Sequence, residues 1–394
     1  MSLGNAGDAP ATEAPMHILI TGGAGFIGSH VAERFLALGA RVTILDRLDP
    51  QVHPGGEPPW RPAAARLVVA DVLDREPLRQ ALAEADAVVH CAAAVGVAQS
   101  LYRPYPFASV NVAGTALLLE LLAERRRPLA RLVLLSSNTE YGEGLYRRPS
   151  DRRRVRVAAR TADDIRRRGW EPACPDTGEP LEPVPTPESA ALLAVNPYAL
   201  TKRYQEELAL ALGAVHGLPV VCLRLFNVYG PRQSLANPYT GVLAIFLARL
   251  LAGEAPMVYE DGRQSRDFVS VHDVVEAVAA AVERPGLAGE VLNVATGVPR
   301  RIADCARDLA SGLRVGIAPE ITGRFRSGDI RHCTADLTRA RERLAYEPRV
   351  SWEAGLAELV DWARAAPTAD HFQRAEGEMA RRGLVRPIER LARA

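Results

Sequence analysis

Residues 19–31, "LITGGAGFIGSHV", decide the fold. An apolar run ends in a glycine-rich turn, and the turn opens at once onto a helical pattern. That context gives the spacing of Gly22, Gly25 and Gly28 its meaning. The first glycine permits a tight turn, the second lets backbone approach a pyrophosphate, and the third lets the helix pack closely on the strand. The helix N-terminus then offers unpaired N–H groups to the phosphates. Gly22, Gly25 and Gly28, with Phe26 and Ile27 between the last two, are therefore the first cofactor-binding candidates.

Outward from this turn the same rhythm repeats. "RVTILD" (41–46), "ARLVVADV" (65–72), "DAVVHCAA" (86–93) and "RLVLLSS" (131–137) are short runs rich in Val, Ile and Leu. Helical patterns such as "GSHVAERFLALG" and "VNVAGTALLLELLAERRR" lie between them. Alternation of this kind predicts an α/β fold, a Rossmann-type doubly wound parallel sheet covered on both faces. We place it at 16–231, after a loose arm at 1–15, with "LPVVCLRLFNVYG" and the later "EVLNVATG" as further strands. Residues 232–365 read as a smaller mixed α/β substrate-binding lobe, some segments returning to the main sheet. Its helices are "PYTGVLAIFLARLLAGE", "SVHDVVEAVAAAVERPG" and "SWEAGLAELVDWARA". Residues 366–394 read as an amphipathic helix and tail with no chemical role.

The second strand ends at Asp46, where an acid accepts both ribose hydroxyls and repels the extra phosphate of NADP. NAD is thus the expected cofactor, although Arg47 next door is able to pair a phosphate. Asp71 and Val72, after the third strand, fall near the adenine. An exposed turn aspartate is the other reading of Asp71.

Two segments carry the candidate chemistry: "LLSSNTEYGEG" (134–144) and "NPYALTKRYQE" (196–206). Moving hydride from a secondary alcohol needs a base for the hydroxyl proton. A tyrosine serves if its pKa, ordinarily about 10, is lowered. Lys202 lies one helical turn beyond Tyr198, so its ammonium is expected to favour the phenolate. Ser137, at the carboxyl end of a buried strand, is placed to bond the reacting oxygen.

Composition narrows the field. The chain has 394 residues, 48% hydrophobic and 24% charged, with a formal net charge of +1, which argues against a general polyanion binder. No nucleic acid partner is expected. No apolar run of the length needed to span a bilayer and no signal-like start are evident, so no membrane is expected either. Five scattered cysteines read as reduced thiols in a cytoplasmic protein. "CPDTG" (174–178) offers one cysteine with no second ligand nearby, so no metal is expected. The insertion at 147–185, dense in Arg, Pro and Glu, leaves from a strand's carboxyl end and is expected to fold over the substrate end of the cleft.

Taken together, "TGGAGFIG", "LLSSNTEYGEG", "NPYALTK", "RLFNVYGPRQ", "GRQSRDFVSVHDV" and "RSGDIRHCTAD" resemble the extended short-chain dehydrogenase/reductase family acting on nucleotide sugars. The resemblance implies that Ser137, Tyr198 and Lys202 are the catalytic trio, Lys202 also holding the nicotinamide ribose of NAD. It implies that Asn227, Arg266 and Arg326 grip the pyrophosphate of a nucleotide-diphosphate sugar. Arginine suits bidentate phosphate contacts. A structural pair of Arg266 with Asp267 or Asp273, and of Arg326 with Asp329, is the competing reading.

Members resembling this chain oxidise C4 first and then diverge. Dehydratases carry Asp-Glu after a threonine in the serine loop, and decarboxylases keep a glutamate where this chain has Thr139. Here Asn138 and Thr139 stand instead, and Glu140 comes one place too late. The minimal site fits 4-epimerisation. The 147–185 segment resembles the insertion of bacterial dTDP-L-rhamnose 4-epimerases, except that Thr177 stands where those carry a second cysteine. A UDP-hexose or UDP-uronate epimerase, a 4-ketosugar reductase and a non-enzymatic nucleotide-binding scaffold are the alternatives. Family members pair through two helices, and "GTALLLELL" with "YQEELALALGAVHG" suits a homodimer.

Overall fold

The computed structural model describes residues 14–388. The expected arm at 1–15 and the end of the tail fall largely outside that range.

Seven parallel strands form the main sheet: β1 (His17–Thr21), β2 (Arg41–Asp46), β3 (Arg66–Val69), β4 (Ala87–His90), β5 (Arg131–Ser137), β6 (Val220–Leu225) and β7 (Glu290–Val294). Their order is β7-β6-β5-β4-β1-β2-β3. The chain enters at β1, winds outward through β2 and β3, and returns to β4 on the other side, so a crevice opens at the carboxyl ends of β1 and β4. Ile18 pairs in register with Val42 on one side and Ala87 on the other, and all three are buried. That explains why these strands read as unbroken apolar runs.

Helices α1 (Phe26–Ala37), α2 (Arg75–Glu84), α3 (Gly114–Glu124), α4 (Pro197–His216) and α5 (Val271–Glu283) flank the sheet. The structure moves α5 from the lobe, where the sequence reading put it, to the main core. Val271, Val274 and Val278 pack into the core of β1 and β2, Arg34 of α1 pairs with Glu276 at 2.8 Å, and the His30 and His272 rings meet at 5.6 Å. An apolar helical face shows that something covers it, not what. The continuous helical stretch Pro104–Glu124 is long and apolar enough to cross a bilayer, but half of it is buried, with Leu118, Leu119, Leu121 and Leu122 in the core.

The smaller lobe has its own core, built by helices Val242–Leu251, Ile302–Leu313 and Trp352–Ala365. They pack on a small mixed sheet in which Ser265–Ser270 is joined by Asn227–Tyr229, Pro299–Arg301 and His332–Cys333.

The 147–185 insertion does not do what its origin suggests. Leu145–Arg147, Arg154–Val155 and Glu182–Val184 form a small antiparallel sheet over a core of Tyr146, Val157, Cys174 and Leu181. Ile165 and Trp170 pack against Phe325, and buried Arg160 pairs with Glu143 at 2.7 Å and Glu260 at 2.8 Å. Fully buried Arg331 bonds Glu260 at 2.7 Å and Asp261 at 2.6 Å, and also pairs with Glu171. The segment is thus a buttress tying the lobe to the loop after β5. Among the described residues lining the cleft, none comes from it.

Helix α6 (Phe372–Arg381), in contrast, reaches the cleft through Phe372, Ala375 and Met379. The tail read as chemically idle is part of the wall.

Candidate active site

A cleft of about 1220 Å³ runs from the glycine turn to the lobe and collects residues from both. At its inner end the glycines behave as their spacing predicts. Gly22 has φ +68°, and a Cβ there would lie 2.7 Å from the Ala92 nitrogen. A Cβ on Gly28 would lie 2.3 Å from the Gly22 oxygen, so only glycine lets α1 seat on the turn. Gly25 is the N-cap and has no capping side chain, which leaves the first-turn N–H groups free for an anion. Phe26, Ile27 and Val72 also line this end. These residues fit the pyrophosphate and adenosine of a dinucleotide.

Asp46 accepts from Ala24 N at 3.1 Å and Leu48 N at 2.9 Å, so its carboxylate is fixed at the lip of the turn. Arg47 is held by Asp71 at 3.0 Å and by Asp49. The guanidinium that pulled toward a 2′-phosphate is thereby occupied, and Asp71 is more than an exposed turn residue.

Ser137, Tyr198 and Lys202 do meet at the cleft. Ser137 ends β5, and its hydroxyl lies 2.9 Å from that of Thr139. Helix α4 begins sharply because the Asn196 side chain accepts from Ala199 N at 2.9 Å and Pro197 sits in the first turn. That start fixes Tyr198, whose N–H donates to Ser100 Oγ at 3.1 Å and whose ring meets Phe107 edge-on. One turn later, Lys202 Nζ donates to the Leu135 carbonyl at 2.6 Å.

The electrostatics differ from the sequence expectation. Burial pushes the Tyr198 phenol up to about 12, with the nearby Ser137 hydroxyl pulling the other way. Burial pulls Lys202 down to about 8 against the attraction of Glu140. The lysine lies on the phenol's helix face, but its ammonium is spent on a carbonyl. Desolvation therefore outweighs charge for the phenol.

Glu140 does not line the cleft. It is buried behind Ser137, bonded to the Ser136 hydroxyl, and burial beside Glu206 raises its carboxyl to about 8. Arg224 is shared, donating to Glu206 at 3.0 Å and lying 4.0 Å from Glu140. Among the described residues, the carboxylates that line the cleft are Asp46, Asp49, Asp71 and Asp329. None is free: the first three serve the glycine turn and Arg47, and Asp329 serves the lobe arginines.

Those arginines come together through Asp329. Arg266 Nη2 donates to one of its oxygens at 2.9 Å and Arg326 Nη2 to the other at 3.0 Å. Arg266 also donates to the carbonyls of Ser265 and Ile330 at 2.8 and 2.7 Å. Asp267 and Asp273 are not its partners. Asp267 accepts from Gly297 N and Thr296, and Asp273 from Arg349 N. Asn227, at the start of the strand Asn227–Tyr229, lines the same wall.

Sequence reasoning missed Asn111. Fully buried, it bonds both backbone groups of Ala94, at 2.7 and 3.0 Å, and donates to Thr201 at 3.0 Å. It locks the loop after β4 onto α4, and it sits in a π-helical turn, 108–113. A lone Asn inside an apolar helix was the available signal.

Fold and site together define a Rossmann-type protein with a tyrosine–lysine–serine centre facing a second, arginine-lined lobe. The NAD-dependent epimerase/dehydratase family matches residues 18–161 and 175–295, and the chain belongs to it. A dTDP-L-rhamnose 4-epimerase of Burkholderia thailandensis is 35% identical over 88% of this chain and 94% of its own length. A UDP-N-acetyl-α-D-glucosaminuronate decarboxylase of Bacillus cytotoxicus is 30% identical over 88% and 97%. The crystal structure of a Thermotoga maritima UDP-glucose 4-epimerase with UDP-glucose gives a TM-score of 0.73 at 30% identity, covering 89% of this chain and 99% of that one.

Proposed function

We propose that the protein is an NAD-dependent nucleotide-sugar 4-epimerase. The observation that carries this reading is the absence of any unengaged carboxylate among the described residues lining the cleft, beside a complete Ser137–Tyr198–Lys202 centre. Elimination or decarboxylation draws on a further acid or base, and the positions that would supply it hold Asn138 and Thr139.

Bound NAD supplies reversible hydride transfer at C4. The chain's own residues supply the rest. Ser137 bonds the C4 oxygen, and Tyr198, acting as its phenolate, takes the hydroxyl proton as hydride leaves, then returns that proton to the oxygen of the 4-keto sugar as hydride comes back to the turned ring. Lys202, protonated below about 8, holds ribose hydroxyls and favours the phenolate once charge develops nearby. Arg326 and Asn227 hold the diphosphate while the sugar rotates, and Arg266, whose Nη1 and Nη2 both rest on protein acceptors, adds its charge beside them. Asp46 selects NAD over NADP.

Within this class we favour dTDP-L-rhamnose as substrate, on the 35% identity over nearly the whole of the Burkholderia relative and on the insertion at 147–185. A cytoplasmic homodimer joined through α3 and α4 is part of the same proposal; Leu200 and Tyr204 of α4 are exposed and suit such a joint. Incubation with a panel of nucleotide hexoses without added reductant tests the reaction: inversion at C4 with no change in mass is expected, and loss of water or carbon dioxide overturns it.

A further inference from the structure

Helix α6 lies beyond the part of the chain that the family match covers, yet three of its side chains face the cleft. Phe372, Ala375 and Met379 are spaced three and four residues apart, so they form one helical stripe, and all three are buried. Phe372 and Met379 belong to a cluster with Tyr259 and Ala98, bordered by Ile245 and Met257. Every one of these residues lines the cleft.

The position of the cluster along the cleft follows from Arg326. Its guanidinium lies over the Tyr259 ring, 5.5 Å from the centroid, while its Nη2 meets Asp329 beside Arg266. A sugar whose C4 meets Tyr198 and whose diphosphate meets Arg266 and Arg326 must carry its nucleoside on the far side of those arginines. There the wall is Tyr259, Met257 and the α6 stripe. Gln264 stands in the same wall, its Nε2 on the Tyr259 carbonyl at 2.9 Å and its Oε1 buried without a protein partner. A ring imide N–H is the donor such an oxygen lacks.

The helix is fastened to both sides of the cleft. Glu378 accepts from Tyr102 at 3.0 Å and from Tyr239 at 3.3 Å, joining the loop after β4 to the lobe. Glu376 pairs with Arg324 at 2.6 Å, and Asp370 with Arg249 at 3.1 Å. Arg249 also lies over the Phe372 ring, 5.0 Å from its centroid.

We infer that α6 walls the nucleobase pocket: Phe372 and Met379 pack on a planar base, and the Glu378–Tyr102–Tyr239 latch holds them there. The inference rests on the nucleotide-sugar reading of the cleft, but its test does not depend on turnover. Titrate dTDP and UDP by calorimetry into the NAD-loaded full-length protein, for the wild type, F372A/M379A and E378Q. Affinity for both nucleotides should fall tenfold or more in the double variant and about threefold in E378Q, with NAD content unchanged. Values within twofold of wild type in a folded double variant would overturn the proposal. On the wild type alone, amide exchange in residues 372–379 should slow when dTDP is added, and unchanged exchange with dTDP demonstrably bound would equally overturn it. In turnover, the loss should fall on KM rather than on kcat. Nucleotide binding that weakens as expected in a protein inactive on every sugar would sink the epimerase reading and leave this one standing.

Discussion

Lys202 Nζ lies 2.6 Å from the Leu135 carbonyl oxygen, one helical turn beyond Tyr198. The lysine is therefore anchored to the strand that carries Ser137, and its charge reaches the phenol only through space. Burial pushes the Tyr198 phenol up to about 12, and the hydrogen bond from the Ser137 side chain pulls the other way.

Replacing Tyr198 by Phe keeps the ring against Phe107 and removes only the hydroxyl. NAD retention and melting temperature should hold, while turnover falls by about 10² or more, the scale of a lost acid–base group. Ser137→Ala should lower turnover by less. Steady-state rates on the best substrate of the panel check this, and a Tyr198→Phe enzyme within threefold of wild type would remove the trio from the mechanism.

The Arg47–Asp71 contact leads to a prediction about cofactor choice. The natural protein should release NAD, not NADP, when denatured. Asp71→Asn weakens the hold on Arg47 and frees part of its charge for a 2′-phosphate. NADP affinity should then rise about tenfold, read by titration of cofactor-stripped protein. An unchanged NAD-to-NADP ratio would mean that Asp46 alone sets the preference.

Burial raises Glu140 to about 8, and that shift has a consequence for stability. Between the usual carboxyl range and pH 8 the folded state keeps a proton that the unfolded chain has lost, so stability falls as pH rises through this window. Lys202, lowered to about 8, acts in the opposite sense and only above that pH. Glu140→Gln should thus gain on the wild type between pH 5 and 8, by on the order of 2 kcal/mol or more. Urea unfolding at three pH values measures it. A constant difference between the two proteins would show the carboxyl already ionised in the fold.

Arg331, fully buried among Glu171, Glu260 and Asp261, predicts a different kind of loss. Arg331→Met strips one cation from buried Glu260 and from the more exposed Glu171 and Asp261, and should cost up to about 3 kcal/mol in denaturant unfolding, the low end for a broken buried pair. A loss below 1 kcal/mol would show that Arg160 alone neutralises Glu260.

The parts of this protein legible in its sequence are those governed by local rules. The Gly22–Gly28 turn and the apolar strands are short-range patterns, and Tyr198 and Lys202 share a helix face by spacing alone. Arg266 was harder, because its partner Asp329 lies far along the chain and the nearer Asp267 and Asp273 were the natural guesses. The insertion and the C-terminal helix exchanged expectations for the same reason. Leaving from a strand end suggested proximity to the cleft for 147–185, but Arg160 ties it to Glu143 and Glu260, and Trp170 packs on Phe325. The stripe of Phe372, Ala375 and Met379 announced a buried face and carried no information about what it faces.

The reaction itself is the last prediction, and Asn138 and Thr139 carry it. On the proposed reading, Tyr198 moves one proton and Ser137 holds one oxygen. On that same reading, oxidation at C4 is followed by return of hydride to the other face of the turned sugar. Offered dTDP- and UDP-hexoses without reductant, the enzyme should invert C4, leave mass unchanged and approach the same equilibrium from either epimer. In deuterated water C4 should acquire no deuterium, because hydride transfer that NAD would supply exchanges nothing with solvent. Among the substrates, dTDP-L-rhamnose should turn over fastest. NMR and mass spectrometry of the products read all of this at once. Loss of water would mean that a residue outside the Asn138–Thr139 pair supplies the missing acid. Loss of carbon dioxide from a uronic acid substrate would align the chain with the decarboxylase of Bacillus cytotoxicus. Stoichiometric consumption of added NADH would make it a reductase, because a cofactor oxidised in each turnover must then be replaced.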